Sequence, residues 1–253
     1  MEYGRIIGIG NTATVYEWKE GKVLKLFHQD YPKEAVEKEF QNARAISNMD
    51  FAKPKAYEII FGKGKIGIIY DRLEGELLLD WVMRTGDIQG CAVYMASLHK
   101  EIIQNSISNV PNYKEFLKCN MVNAIKIKRK EEVLHMLDEL PDGNTLCHGD
   151  FHPGNIFISD GHAIVIDFMN ICHGHFLYDV ARTTFLVEYT PVPVEAKDKE
   201  KLLQFKKTLA DLYLIQMNVT REMIRDYLLV IIAARVSECP NEDQTKTNHL
   251  FST

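Results

Sequence analysis

The residues best equipped to do chemistry stand in one stretch, His148-Gly149-Asp150-Phe151-His152-Pro153-Gly154-Asn155, and a further acid, Asp167, follows it. A carboxylate such as Asp150 can orient a hydroxyl and take its proton late in a displacement. Asn155 can offer an amide oxygen to a hard cation, and Asp167 a carboxylate oxygen to the same ion. That set suits Mg2+ when phosphate oxygens and water complete it. An Asp, an Asn five residues on, and a second Asp beyond a short hairpin is the order that phosphoryl transfer uses. Asp150 is therefore the candidate base or orienter, and Asn155 and Asp167 are the candidate metal ligands. His148 is expected to brace the loop by hydrogen bonding. His152 either faces the acceptor or supports the loop, and Asp179 either caps the next helix or accepts backbone N–H groups from the loop.

Such a reaction needs groups that hold phosphate. The turn Gly8-Ile9-Gly10-Asn11-Thr12-Ala13-Thr14-Val15 can lay backbone N–H groups over phosphates, because Gly lets the backbone approach closely. Gly8, Gly10, Asn11 and Thr12 are its candidate contacts. Lys25 lies inside the apolar run Val23-Leu24-Lys25-Leu26-Phe27 and could reach the α- and β-phosphates. Its ammonium then needs an acid. Glu39 is the best placed, since Ala43 and Ile46 follow it four and seven residues on and put it on the inward side of a helix. Glu37 and Glu34 compete.

The elements that must position these groups follow from periodicity. Arg5 to Ile9, Thr14 to Trp18 and Val23 to Phe27 read as strands. Pro32 opens a helix with Ala35, Phe40, Ala43 and Ile46 on one side. Tyr57 to Phe61 and Ile66 to Tyr70 read as strands around a Gly62-Lys63-Gly64-Lys65 hairpin. Residues 1–70 thus make a small β-rich α+β lobe. Asp71-Arg72-Leu73-Glu74-Gly75 is a polar connector, residues 71–75. Residues 76–253 are mostly helical: Glu76 to Met83, Ile88 to Ile103, one or two helices in Tyr113 to Leu140, Phe176 to Glu188, Lys197 to Met217 and Arg221 to Glu238. Within them Asn155 to Ile158 and Ala163 to Ile166 form a hairpin, and Cys147 ends a strand leading into the loop. The residues from Asn241 on are expected to fray.

Composition narrows the class. The chain has 253 residues, 46% hydrophobic and 26% charged, as in ordinary globular proteins. A net charge of -5 argues against a nucleic-acid binder. The longest apolar run, Tyr227 to Ala234, is far short of the ~20 residues that cross a bilayer, and no charged-then-apolar leader opens the chain, so a cytoplasmic protein without membrane association is expected. The cysteines, Cys91, Cys119, Cys147, Cys172 and Cys239, form no CxxC pair and are expected to be reduced and mostly buried.

Taken together, these pieces resemble the aminoglycoside phosphotransferase and choline kinase superfamily, which shares the protein-kinase-like fold. The matching residues run in family order: the Gly8 to Val15 turn, Lys25, Glu39, the Asp71 to Gly75 connector, His148 to Asn155, Ile166-Asp167-Phe168 and Tyr178-Asp179-Val180-Ala181. The resemblance implies a two-lobed α+β fold with ATP or GTP and Mg2+ between the lobes, and an acceptor pocket built from C-terminal helices. It also implies that the connector is a hinge whose backbone holds the base, at Asp71 and Leu73. Met169 stands where protein kinases have Gly, no Ala-Pro-Glu follows, a helix begins soon after Asp167, and His152 replaces a Lys-containing sequence. All four departures favour a small hydroxyl-bearing acceptor (aminoglycoside-, choline- or sugar-like) over a peptide. A compact atypical protein kinase and a non-catalytic nucleotide-binding module are the alternatives. Glu188, Glu195, Asp198 and Glu200 could receive a cationic acceptor, but acids so placed more often form a solvated surface.

Overall fold

The structure is a computed structural model that describes residues 3–62, 64–122, 129–193 and 196–238. It begins with strands β1 (Ile6–Ile9), β2 (Ala13–Glu17) and β3 (Lys22–Phe27), helix α1 (Lys33–Ala45), and strands β4 (Ala56–Gly62) and β5 (Lys65–Asp71). The strands form one antiparallel sheet in the order β1-β2-β3-β5-β4. Alternation along β3 explains the position of its lysine. Leu24 and Leu26 are buried with Ile69 on one face of the sheet, under Tyr3, Tyr16, Trp18 and Ile60. Lys25 therefore shares the other face with Val23 and Phe27, which belong to the main core. Because β3 is an interior strand, this lysine does not face solvent at a sheet edge.

Helix α1 packs against β4 and β5. Its buried positions are Val36, Glu39, Asn42 and Ala43, continued by Ile46 just beyond the helix end. The expected stripe is corrected here: Ala35 and Phe40 are only half-buried, because the inward face is centred on Val36 and Glu39.

Beyond the connector come β6 (Glu76–Leu77), α2 (Leu78–Thr85), α3 (Ile88–Ile103), α4 (Tyr113–Val122), α5 (Lys130–Glu139), β7 (Thr145–Cys147), a 3-10 turn (Pro153–Asn155), β8 (Ile156–Ser159), β9 (His162–Val165), β10 (Cys172–Gly174), α6 (Phe176–Glu188), α7 (Lys199–Met217) and α8 (Arg225–Glu238). Helix α3 packs on α7, α6 on α7 and α8, and α4 and α5 on α8. The core of this region includes Met95, Leu98, Phe151, Tyr178, Tyr213 and Ile231, all buried. Two small sheets carry the loops between them: β6-β8-β9 and β10-β7.

Several expected boundaries move for physical reasons. Glu76 and Leu77 are not helical; they pair with Ile158 and Phe157 of β8, and α2 starts after them. Asn155 belongs to the 3-10 turn rather than the strand, and β9 ends at Val165. Helix α7 starts at Lys199 because Asp198 caps it, its side chain accepting from Lys201 N. Residues 221–224 form turns before α8. Strand β10 is an addition to the elements expected from the sequence. The expected fraying from Asn241, the acid Glu195 and the thiol of Cys239 lie outside the described residues, as does part of the stretch from Tyr113 to Leu140.

Candidate active site

The two regions meet around a cavity of about 700 Å3. Its lining includes every candidate base, metal ligand and nucleotide contact read from the sequence: Gly8, Gly10, Asn11, Thr12, Lys25, Glu39, Asp71, Leu73, Asp150, Asn155 and Asp167. They come from six places in the chain, so the fold, not sequence proximity, brings them together.

Lys25 is the centre of this arrangement. Its Nζ donates to Glu39 Oε1 at 2.8 Å, Glu39 Oε2 at 2.9 Å and Asp167 Oδ1 at 3.1 Å. Burial opposes the ammonium charge, but the two carboxylates outweigh it and hold the Lys25 pKa above its ordinary value. The partner is thus Glu39; Glu37 instead pairs with Lys33 on the surface at 3.3 Å. Glu39 is 1% exposed and has a second support that sequence reading missed. Tyr70, at the end of β5, donates its hydroxyl to Glu39 Oε1 at 2.9 Å.

Helix α1 also reaches the segment after Asp167. Asn42 Nδ2 donates to the carbonyls of Phe168 at 2.8 Å and Met169 at 3.2 Å. Asp167 itself has φ 68°, a left-handed conformation that a non-Gly residue rarely adopts.

The loop from His148 to Asn155 is held from within and from below. Its beginning is fixed by Asp179 of α6, whose Oδ2 accepts from His148 N at 2.6 Å and whose Oδ1 accepts from Gly149 N at 2.9 Å. Of the two readings of Asp179 this is the observed one; His175 caps α6 instead. Burial works against the Asp179 carboxylate, but His99, His148 and Gly149 N–H reverse that and lower its pKa. His99 on α3 lies 2.9 Å from Asp179 Oδ2 through Nε2 and 2.5 Å from the Tyr213 hydroxyl through Nδ1. Its ring also packs on Phe151, 4.4 Å between centroids. Arg182 Nε donates to Gly149 O at 3.2 Å.

His148 braces the loop as expected: Nδ1 accepts from Asp150 N and Nε2 is 3.2 Å from Ile166 O. Burial pushes its pKa below the ordinary value of 6.5. His152 Nδ1 accepts from Gly154 N and Nε2 stands 3.9 Å from Asp150 Oδ2, so the ring supports the loop while also lining the cavity.

Asn155 Nδ2 donates to Asp150 O at 2.9 Å and Asp150 Oδ2 at 3.1 Å. Both bonds are made by the amide nitrogen, which leaves Oδ1 available as a hard-oxygen donor. Asp167 keeps Oδ2 beyond its Oδ1 contact with Lys25. Among the described residues no group of three or more His, Cys, Asp or Glu is gathered as a metal site. Asn155 and Asp167 therefore supply two hard oxygens, a donor set that fits a Mg2+ whose other ligands are phosphate and water, and does not fit a closed zinc site.

On the opposite wall, Gly10 N donates to Ala13 O at 2.9 Å and His28 N to Thr12 O at 3.0 Å, fixing a tight turn between β1 and β2. Asp71 ends β5. Its Oδ2 accepts from Lys55 N at 2.9 Å and its Oδ1 from the Tyr57 hydroxyl at 2.7 Å, so its side chain ties the sheet to the connector. Of the suggested cation-receiving acids, Glu188 is paired with Arg221 at 2.7 Å, and Asp198 with Lys201 at 2.9 Å while it caps α7. Cys91, Cys147 and Cys172 are buried free thiols and Cys119 is exposed. No described helix is long and apolar enough to cross a membrane.

Comparison with known proteins places this geometry. Residues 118–206 match the model of the phosphotransferase enzyme family. No curated protein sequence matches the chain. Among solved structures, a thermostable mutant of the aminoglycoside phosphotransferase APH(4)-Ia, in ternary complex with AMP-PNP and hygromycin B, aligns with TM-score 0.67 and 14% identity over 93% of this chain and 85% of that one. The amicoumacin kinase hAmiN, with AMP-PNP, Ca2+ and Ami, aligns with TM-score 0.60 and 19% identity, covering 98% and 85%. A choline/ethanolamine kinase family protein from Mesorhizobium loti aligns with TM-score 0.61 and 10% identity, covering 98% and 85%. The resemblance read from the sequence is thereby borne out: this is a chain of the protein-kinase-like fold whose residues 118–206 carry the pattern of the phosphotransferase enzyme family.

Proposed function

We propose that the chain moves the γ-phosphate of ATP or GTP to a hydroxyl of a small molecule, with Mg2+ as the counter-ion. The observation that carries this reading is the contact of Lys25 with both Glu39 and Asp167, in the cavity that Asp150 and Asn155 also line. An ammonium placed between a helix carboxylate and the metal-ligand carboxylate is ready to exchange some of its contacts for nucleotide phosphates. Related structures hold AMP-PNP, one with hygromycin B and one with Ca2+ and Ami, which supports a nucleotide in this cavity.

Residues 1–70, 71–75 and 76–253 then act as nucleotide lobe, hinge and catalytic lobe. Gly8 and Gly10 fit the phosphate role for a steric reason. A Cβ at Gly8 would meet nothing closer than Val15 at 3.6 Å, and one at Gly10 nothing closer than Ala13 O at 3.4 Å. The surrounding protein does not demand glycine there, so close approach of a phosphate to the backbone is the reading that accounts for it. Asp71 and Leu73 line the side where a base would rest.

Asn155 and Asp167 would hold Mg2+, which neutralises charge on the phosphates when bound. Asp150 accepts the amide of Asn155 on Oδ2, which orients its carboxylate toward the cavity, where it would align the acceptor hydroxyl and receive its proton. Lys25 would steady the phosphates against the charge that builds on them. Within the short segment after Asp167, Cys172–Gly174 pair with β7 and His173 bridges to Asn112, which supports the reading of a small acceptor over a peptide.

Asp150→Asn and Asp167→Ala separate the roles. Asp150→Asn is expected to keep Mg-nucleotide affinity in calorimetric titration and to lose about 10²- to 10⁴-fold in transfer. Asp167→Ala is expected to weaken nucleotide binding only when Mg2+ is present. Equal turnover in Asp150→Asn and parent contradicts the assignment of the base.

A further inference from the structure

Asp167 holds its left-handed backbone without the freedom of glycine, and such a conformation persists only where neighbours over-determine it. The upstream side is fixed by His148, whose Nε2 is 3.2 Å from Ile166 O. The downstream side is fixed by Asn42. One amide nitrogen, 5% exposed as a residue, donates to the two carbonyls that follow Asp167, at 2.8 Å and 3.2 Å. Asn42 lies three residues after Glu39, so the two side chains leave the same inward face of α1 one turn apart.

We propose that Asn42 is a positioning residue for Asp167, acting through the backbone of Phe168 and Met169 and touching neither metal nor nucleotide. This rests on the reading of Asp167 as a metal ligand. Glu39 sets the lysine end of the Lys25–Asp167 contact and Asn42 sets the carboxylate end. A single helix thereby fixes the distance between the phosphate-binding ammonium and the metal-binding oxygen. Satisfying two buried carbonyls is the merely structural alternative; it stabilises the fold and leaves metal affinity untouched.

The test is Mn2+ titration of the ADP complex, read by electron paramagnetic resonance, in the parent, Asn42→Ala, Asp167→Ala and the double variant. Metal-free ADP affinity and thermal midpoints are measured alongside. Partners one shell out from a metal commonly contribute 10- to 100-fold in affinity, so Asn42→Ala is expected to weaken Mn2+ by about tenfold or more while metal-free ADP affinity changes less than about twofold. In the double variant the loss is expected to equal that of Asp167→Ala, because the path from Asn42 runs through that carboxylate. If Asn42→Ala is too unstable to titrate, Asn42→Thr, which keeps a donor for one carbonyl, is read in its place and is expected to lose less than Asp167→Ala but more than about threefold. Unchanged Mn2+ affinity beside a clear loss in Asp167→Ala overturns the role of Asn42 alone, as do additive losses in the double variant. Unchanged affinity in Asp167→Ala overturns the metal reading and this proposal with it.

Discussion

At the scale of single residues, the site is built from charges that are paired before any ligand arrives. Lys25 Nζ already touches three oxygens, and Glu39 receives a second donor, the hydroxyl of Tyr70. Removing that hydroxyl leaves the carboxylate buried with one partner fewer. Tyr70→Phe is expected to cost about 1.5 to 3 kcal/mol of stability, the usual range for a hydrogen bond to a charged group, and to raise the KM for nucleotide more than it lowers kcat. Chemical denaturation and steady-state kinetics check it; unchanged stability would mean that the Tyr70 bond does not hold Glu39. Much of this level was legible in the sequence. Asp150, Asn155 and Asp167 announce themselves by type and order, and the spacing of Ala43 and Ile46 selects Glu39. Asn42 sits on that same inward face, so helix periodicity carried its signal. Tyr70 gave none, because its role depends on a helix 31 positions away.

At the scale of elements, short pieces of chain borrow their conformation from distant partners. Strand β6 has two residues, too few to show a period, and exists because β8 pairs with it. Strand β10 has three and exists because β7 pairs with it. Neither was readable, whereas α3 and α6, with enough turns to show an amphipathic stripe, fall where periodicity places them. The polar support under the loop was half legible. Asp179 suggested itself as an acceptor of loop N–H groups, but its links to His99 and onward to Tyr213 join α6, α3 and α7 across 80 and 114 positions. The connector has its own constraint at Gly75, where φ is 125° and an added Cβ would fall 2.1 Å from Ile158 O. Gly75→Ala therefore has to displace either the connector or β8. Strain in such a region costs roughly 1 to 3 kcal/mol, so a fall of several degrees in Tm is expected by calorimetry. A Tm equal to that of the parent would show that the connector yields without cost.

At the scale of the whole molecule, two regions of different make-up share one cavity, and buried ionisable groups around it tie stability to pH. His148 and His152 are both held below the ordinary histidine pKa by burial. The unfolded chain then takes up protons first as pH falls, so their contribution is complete above about pH 6.5 and is lost progressively below it. Thermal midpoints are expected to fall as pH is lowered from about 6.5 toward 5; a midpoint that holds or rises as pH falls through that window contradicts burial of neutral imidazoles beside the loop. The net charge of -5 argued against a nucleic-acid-binding role, but gave no view of which lobe meets which. That depends on the long-range pairing of Lys25 with Asp167, 142 positions apart.

The most direct test of phosphoryl transfer to a small hydroxyl is a coupled nucleotide-turnover assay over aminoglycosides, choline-like amines, sugars and a generic protein substrate. It is run in parallel with Asp150→Asn, with mass spectrometry of each acceptor. Expected is turnover that depends on one class of small acceptor, adds one phosphate to it and disappears in Asp150→Asn. Turnover that persists in Asp150→Asn, phosphate delivered to the protein substrate alone, or tight Mg-nucleotide binding with no acceptor modified across the panel would contradict it.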